Sequence, residues 1–266
     1  MSKNLETQSF TEKTQGDAEK NSVNLCVCEA SVVSVFLFGS GLSRLGGNVF
    51  EKMREPVSGL THYFAAIVAL VGLIILLILS RGDVPKQRSM LIYGASLVLM
   101  LMSSASYHLI KGQRKRIQFL RKIDHSAIYI LIAGTYTPLC FNQFTGFWRW
   151  GILLIIWGVA LAGSITKIFV INAPRWLSAG AYLAMGWMVL PMTKEIVRVL
   201  PVGAFIWLLA GGILFTLGAI VYMTKIMDFA PGVFGFHEVW HIFVILGCLC
   251  HYIMIAVYVA PVPRLS

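Results

Sequence analysis

Seven apolar runs, each close to the length of one bilayer crossing, limit what this chain can fold into. They cover roughly residues 60–79, 90–110, 124–141, 150–170, 176–192, 201–223 and 237–259. A helix needs about 20 mostly apolar residues to cross the hydrocarbon core. No water is available there, so each run must satisfy its own backbone N–H and C=O groups, which makes it a helix. The expectation is an all-α integral membrane protein, a seven-transmembrane-helix bundle. Composition agrees: 57% of residues are hydrophobic and 13% charged, against about 45–50% and about 25% in soluble domains. The fifth run is the weakest, being short and carrying Gly180, Gly186 and Pro191. The third carries Gly134 and Pro138, which predict a kink.

The chain divides at about residue 50. Residues 1–22 are polar and read as disordered. Ser31 to Phe38 is apolar but too short to cross a bilayer, and is expected to lie along the interface. Residues 51–266 form the membrane domain. Three of the five cysteines, Cys140, Cys248 and Cys250, lie in apolar runs as small core residues. Cys26 and Cys28 lie before the first span, and the set forms no disulfide framework.

The net charge of +10 does not point to nucleic acid, because the cations sit mostly in short loops between apolar runs. There they act as topology signals and contacts for anionic lipid headgroups, above all in the stretch 111–122. With the N-terminus inside, the inner loops hold Lys52, Arg54, Lys111, Arg114, Lys115, Arg116, Arg121, Lys122, Lys167, Arg175 and Lys225. The outer loops hold Arg81, Lys86, Arg88, Arg149, Lys194, Arg198 and Arg264. Eleven against seven favours N-inside, C-outside. Membrane lipids are the expected partners, and no protein partner is identifiable.

Ionisable groups at the edge of a span are costly and therefore informative. Ser104, Ser106 and His108 close the second run. Asp124 and His125 open the third. His237, Glu238 and His241 open the seventh. An even run ends, and an odd run begins, on the same side of the membrane, so these groups share one depth. His237 and His241 are four apart and lie one above the other on a helix face. Three imidazoles and one carboxylate, His108, Asp124, His237 and His241, are a donor set suited to Zn2+, with Asp124 either a direct ligand or one acting through a water. Ser104 lies one turn before His108, where its hydroxyl can face such a water. His237 to His241 also fits H-E-x-x-H, which would make Glu238 a general base; helix rotation places it about 100° from His237. His62 opens the first run at the same depth and reads as a hydrogen-bonding neighbour of the site. His251 lies about 15 Å deeper than His241 by helical rise and cannot share its metal. Pairing with a neighbouring helix is expected for it, with a proton or substrate pathway as the alternative, and His125 reads as a packing or headgroup residue.

Several blocks together resemble a known family. They are Glu55-Pro56 with Thr61-His62, Ser104-x-x-x-His108, Asp124-His125-Ser126 running to Ala133-Gly134-Thr135-Tyr136-Thr137-Pro138, and His237-x-x-x-His241 with Gly247 and His251. In this order they resemble the hemolysin III family, the bacterial branch of the progestin and adiponectin receptor superfamily, over about residues 50–260. The resemblance implies seven helices with a cytosolic N-terminus in a bacterial plasma membrane. It also implies a zinc site near the inner leaflet, with ligands at His108, Asp124, His237 and His241 and Ser104 beside them. Animal relatives look like zinc-dependent ceramidases, the bacterial branch is named for a haemolytic activity, and other bacterial members are linked to membrane energy homeostasis. Adiponectin receptors carry Gln where this chain has Glu238, so the superfamily does not require a carboxylate there.

Three functions are compatible with these residues. The first is a zinc-dependent hydrolase of a lipid amide, with Ser104 and Asp124 as catalytic groups. The second is a non-enzymatic regulator in which zinc clamps helices together. The third is a pore, which the strongly apolar runs disfavour because they carry no continuous polar stripe.

Overall fold

The computed structural model describes residues 53–170, 172–230 and 234–265. The expectations for residues 1–50, including Cys26 and Cys28, lie outside them. All seven apolar runs are helical. Helix α1 spans Pro56–Leu79, α2 Val84–Leu109 and α3 Arg114–Gln143. Helix α4 spans Ile152–Phe169, led in by a wider π turn over Phe147–Gly151. The fifth run holds α5, Arg175–Gly186, a 3-10 turn over Trp187–Met192, and α6, Thr193–Val199. Helix α7 spans Val202–Thr224, and α8 spans Phe236–Met254 and ends in a π turn over Ile255–Val259.

Among the described residues, five segments are long and apolar enough to cross a membrane: Pro56–Leu79, Val84–Leu109, Phe147–Phe169, Val202–Thr224 and Phe236–Val259. Helix α3 falls short on hydropathy because its middle carries Tyr129, Thr135, Tyr136 and Thr137. It also starts at Arg114, ten residues before the expected boundary. The basic stretch 114–122 holds no Gly or Pro, and Lys, Arg, Gln and Leu are good helix formers, so the helix extends past its apolar part. It also runs on through Pro138 as one helix.

The fifth run is broken where Gly186 and Pro191 occur, as their low helix propensity predicts. The carbonyls freed at the break need partners in a dry environment. The Tyr136 hydroxyl donates to the Gly186 carbonyl at 2.7 Å, and the Trp187 indole N–H donates to the Thr216 hydroxyl at 3.0 Å.

Helices pack in a ring: α1 on α2, α2 on α3, α3 on α5, α5 on α7, α7 on α8, and α8 back on α1. Helix α4 stands outside this ring, against α3. Close approach in a membrane depends on small residues. A Cβ added at Gly134 of α3 would collide with Ser96 of α2, so this glycine sets the distance between the two helices. The core between helices includes Leu76, Met90, Tyr93, Leu139 and Ile156, all buried, while Phe64, Val68, Leu154 and Phe169 project outward. At the end away from the histidines, the buried Lys86 ammonium donates to the carbonyls of Ala260 and Val262, at 3.3 and 2.5 Å. A buried cation is thereby satisfied by the free carbonyls beyond α8.

Candidate metal centre

Six elements of the ring enclose a mostly apolar cavity of about 520 Å³, within the range of small-molecule sites. Asp124 and Leu139 of α3 both line it, so it runs about 22 Å along the bundle by helical rise. No residue of α4 lines it. One end is polar, and there the histidines gather.

His108 ends α2 and His237 and His241 open α8, so the parity of the runs does bring them together. Their ring nitrogens form a group whose ligand atoms all lie within 4.8 Å of one another. The Nε2 atoms of His108 and His237 face each other at 3.5 Å. Centroids of His108 and His241 are 4.8 Å apart, and those of His237 and His241 4.7 Å. His108 and His241 are each only 2% exposed, and Nδ1 of His241 makes no hydrogen bond of normal geometry. Buried imidazoles crowded with their nitrogens toward one point, one left without a partner, suit a metal ion, which takes neutral ring nitrogens as ligands.

The surroundings fix His108. Its Nδ1 pairs with a carboxylate oxygen of Glu55, and the Glu55 N–H donates to the His108 carbonyl at 2.9 Å. A carboxylate on Nδ1 holds the proton there and leaves Nε2 free as a ligand. Burial pushes the Glu55 carboxyl up. The hydrogen bond to His108 and the charges of His108 and Arg54 outweigh it and hold the group at about 2, below the usual 4.5. A depressed carboxyl pKa stabilises the fold fully above 4.5, and the contribution fades as pH falls toward 2.

Asp124 stands outside the three-histidine group. It is buried, lines the cavity, and is hydrogen-bonded by Ser104. Glu238 also lines the cavity, but its carboxylate has other partners. Its carboxylate accepts from the Ser58 hydroxyl at 2.7 Å and from the Gly235 N–H at 2.9 Å. It therefore caps the start of α8 and ties it to α1, satisfying a backbone donor that the helix leaves free. His62 stacks on His241, centroids 3.9 Å apart and planes 25° from parallel, and neither of its ring nitrogens makes a hydrogen bond of normal geometry. His251 pairs with the Leu208 carbonyl of α7 at 3.2 Å, as expected of a buried histidine between helices. His125 sits against Tyr182, whose hydroxyl donates to the His125 carbonyl at 3.0 Å.

Sequence reasoning did not assign Glu55 to His108 or Ser58 to Glu238. The Glu55-Pro56 pair was visible, since Pro in the first helical turn marks where α1 begins. Its partner lies 53 residues away, beyond any local pattern.

The family described as haemolysin-III related matches residues 50–252. The chain belongs to this family. Among relatives, the "Hemolysin-3 homolog" of Bacillus subtilis is 34% identical over 220 residues, covering 82% of this chain and all of that protein. "Hemolysin-3" of Bacillus cereus is 35% identical over 210 residues, covering 78% of this chain and 93% of that protein. The human "Monocyte to macrophage differentiation factor" is 25% identical over 207 residues, covering 74% of this chain and 81% of that protein. A hemolysin III protein is a multi-pass membrane protein, in keeping with the five apolar spans.

Proposed function

We propose that this hemolysin III protein is a membrane-embedded zinc hydrolase of a lipid amide. In this reading all seven helical runs cross a bacterial plasma membrane, N-terminus inside, with the histidines near the inner leaflet. The observation that carries it is the position of the three-histidine group at one end of a long apolar cavity. An acyl chain fits such a cavity, and its amide would then lie beside the imidazoles.

His108, His237 and His241 would hold the zinc. Zinc in a site of this kind polarises a carbonyl and acidifies water. Asp124 takes the proton of the attacking water on its carboxylate and returns it to the leaving amine nitrogen. Ser104 orients that carboxylate through its hydrogen bond. Glu55 keeps the His108 proton on Nδ1. The apolar cavity wall excludes bulk water, which strengthens each of these polar interactions.

The test is hydrolysis of a long-chain N-acyl lipid by purified protein, with metal content measured by mass spectrometry. About one zinc per chain and turnover lost in His241→Ala support the reading. Equal rates in both proteins refute it. A zinc-clamped regulator is the second reading, favoured by the way the histidines and Glu55 tie α1, α2 and α8 together. It predicts that a chelator lowers the melting temperature of a protein with no turnover to lose. The names of the Bacillus relatives bring in a third, a pore, and leakage of a trapped dye from liposomes decides it.

A further inference from the structure

The polar end of the cavity also holds two guanidinium groups that form no ion pair among the described residues. Arg121 lies one turn before Asp124 on the same face of α3 and lines the cavity. Arg175 opens α5, the neighbour of α3 in the ring, and also lines the cavity. Its guanidinium lies over the rings of Tyr222 and Phe236, 5.5 and 5.2 Å from their centroids. Both arginines are within electrostatic reach of the Tyr222 phenol. Among the described residues, no carboxylate stands within ion-pair distance of either one. The nearby acids have other hydrogen-bond partners: Glu55 pairs with His108 and Arg54, Glu238 with Ser58 and Gly235, and Asp124 with Ser104, although Asp124 also lies within electrostatic reach of Arg121.

Two fixed cations facing one opening raise the local potential for an anion, and guanidinium groups match carboxylate and phosphate oxygens in geometry. A neutral headgroup would make no use of this potential. We infer that Arg121 and Arg175 select an acyl lipid whose headgroup carries an anion, such as an N-acyl amino acid, and hold that anion at the mouth while the chain fills the cavity. The inference rests on the reading of the cavity as the acyl-binding site, but it concerns binding and not turnover. Arg175 is held by its two aromatic neighbours, so little side-chain freedom is lost when it meets an anion.

The test is equilibrium binding to the full chain in phosphatidylcholine nanodiscs, whose bilayer offers no competing net anion. Three probes are used: N-dodecanoylglycine, its uncharged methyl ester, and N-acetylglycine, which has the anion without the chain. Wild type should bind the dodecanoyl acid roughly tenfold or more tightly than the ester, as charge-assisted hydrogen bonds would give. Arg121→Gln with Arg175→Gln should remove that preference and leave ester binding unchanged. Unchanged ester binding also shows that the variant is folded. Equal binding of acid and ester by wild type overturns the inference, and so does a preference that survives in the variant. Binding of N-acetylglycine as tight as that of the dodecanoyl acid also overturns it, because the arginines would then hold a free small anion. Absence of hydrolysis in any arm bears on the proposed activity alone.

Discussion

Glu55 gives the sharpest test of how the histidine group is organised. Its carboxylate meets Nδ1 of His108, the imidazole whose Nε2 faces His237. Glu55→Gln keeps the shape and the Glu55 N–H bond to the His108 carbonyl, but removes the charge. A hydrogen bond to a charged group contributes about 1.5–3 kcal/mol. The Glu55 side chain is 41% exposed, so solvent screening places the loss near the low end, about 1.4 kcal/mol or tenfold. Glu55→Ala also frees the ring to rotate and should approach the hundredfold loss seen when such supporting carboxylates are removed. The assay is zinc titration of the purified protein against a competing fluorescent chelator, with melting curves confirming that each variant is folded. Ser58→Ala is the control, since its hydroxyl bonds Glu238 and not the histidines; its zinc affinity should match wild type. Affinities within twofold of wild type in both Glu55 variants would refute the claim that this carboxylate orients a metal-binding imidazole.

Other substitutions separate structural from chemical roles. Glu238→Ala should cost about 1 kcal/mol of thermal stability by uncapping α8, and leave zinc content and turnover within severalfold. A hundredfold fall in turnover, with zinc retained, would restore it as a proton carrier. Gly134→Val should lower the melting temperature, by the equivalent of about 1–3 kcal/mol, because its Cβ would overlap Ser96. Gly180→Ala, whose Cβ would meet nothing within 4 Å, should leave it unchanged or slightly raised. Tyr136→Phe removes the donor to the Gly186 carbonyl at the break in the fifth run, and should cost about 1 kcal/mol. An unaltered melt there would mean that the break needs no such support.

Much of this was legible in the sequence because membranes make local rules strong. Long apolar runs marked all seven helical segments, and the parity of their ends anticipated that His108, His237 and His241 come together, with Asp124 lining the same cavity. The i, i+4 spacing of His237 and His241 put both on one face of α8. The fifth run, weakest by its length and by Gly180, Gly186 and Pro191, is the one that breaks, at Gly186 and Pro191 but not at Gly180. What local rules did not reach was contact between distant residues. Glu238 fits the spacing of a metalloprotease base, yet its direction is set by Ser58, 180 residues away. The stacking of His62 on His241 depends on α8 packing against α1, and no pattern within either helix encodes it. The start of α3 was missed because the basic stretch looked like a loop, although its residues are good helix formers. Nor does run order reveal that α4 stands outside the ring.

The histidine group also ties the site to the order in which the chain is made. His108 is carried by α2 and His237 by α8, which is made 129 residues later. The ring closes only when α8 seats between α7 and α1. A nascent or truncated chain thus presents one imidazole of the three and cannot assemble the group. If the group holds a metal, as proposed, its capture would be a late event in biogenesis, and a loaded molecule would be one whose α8 has seated in register.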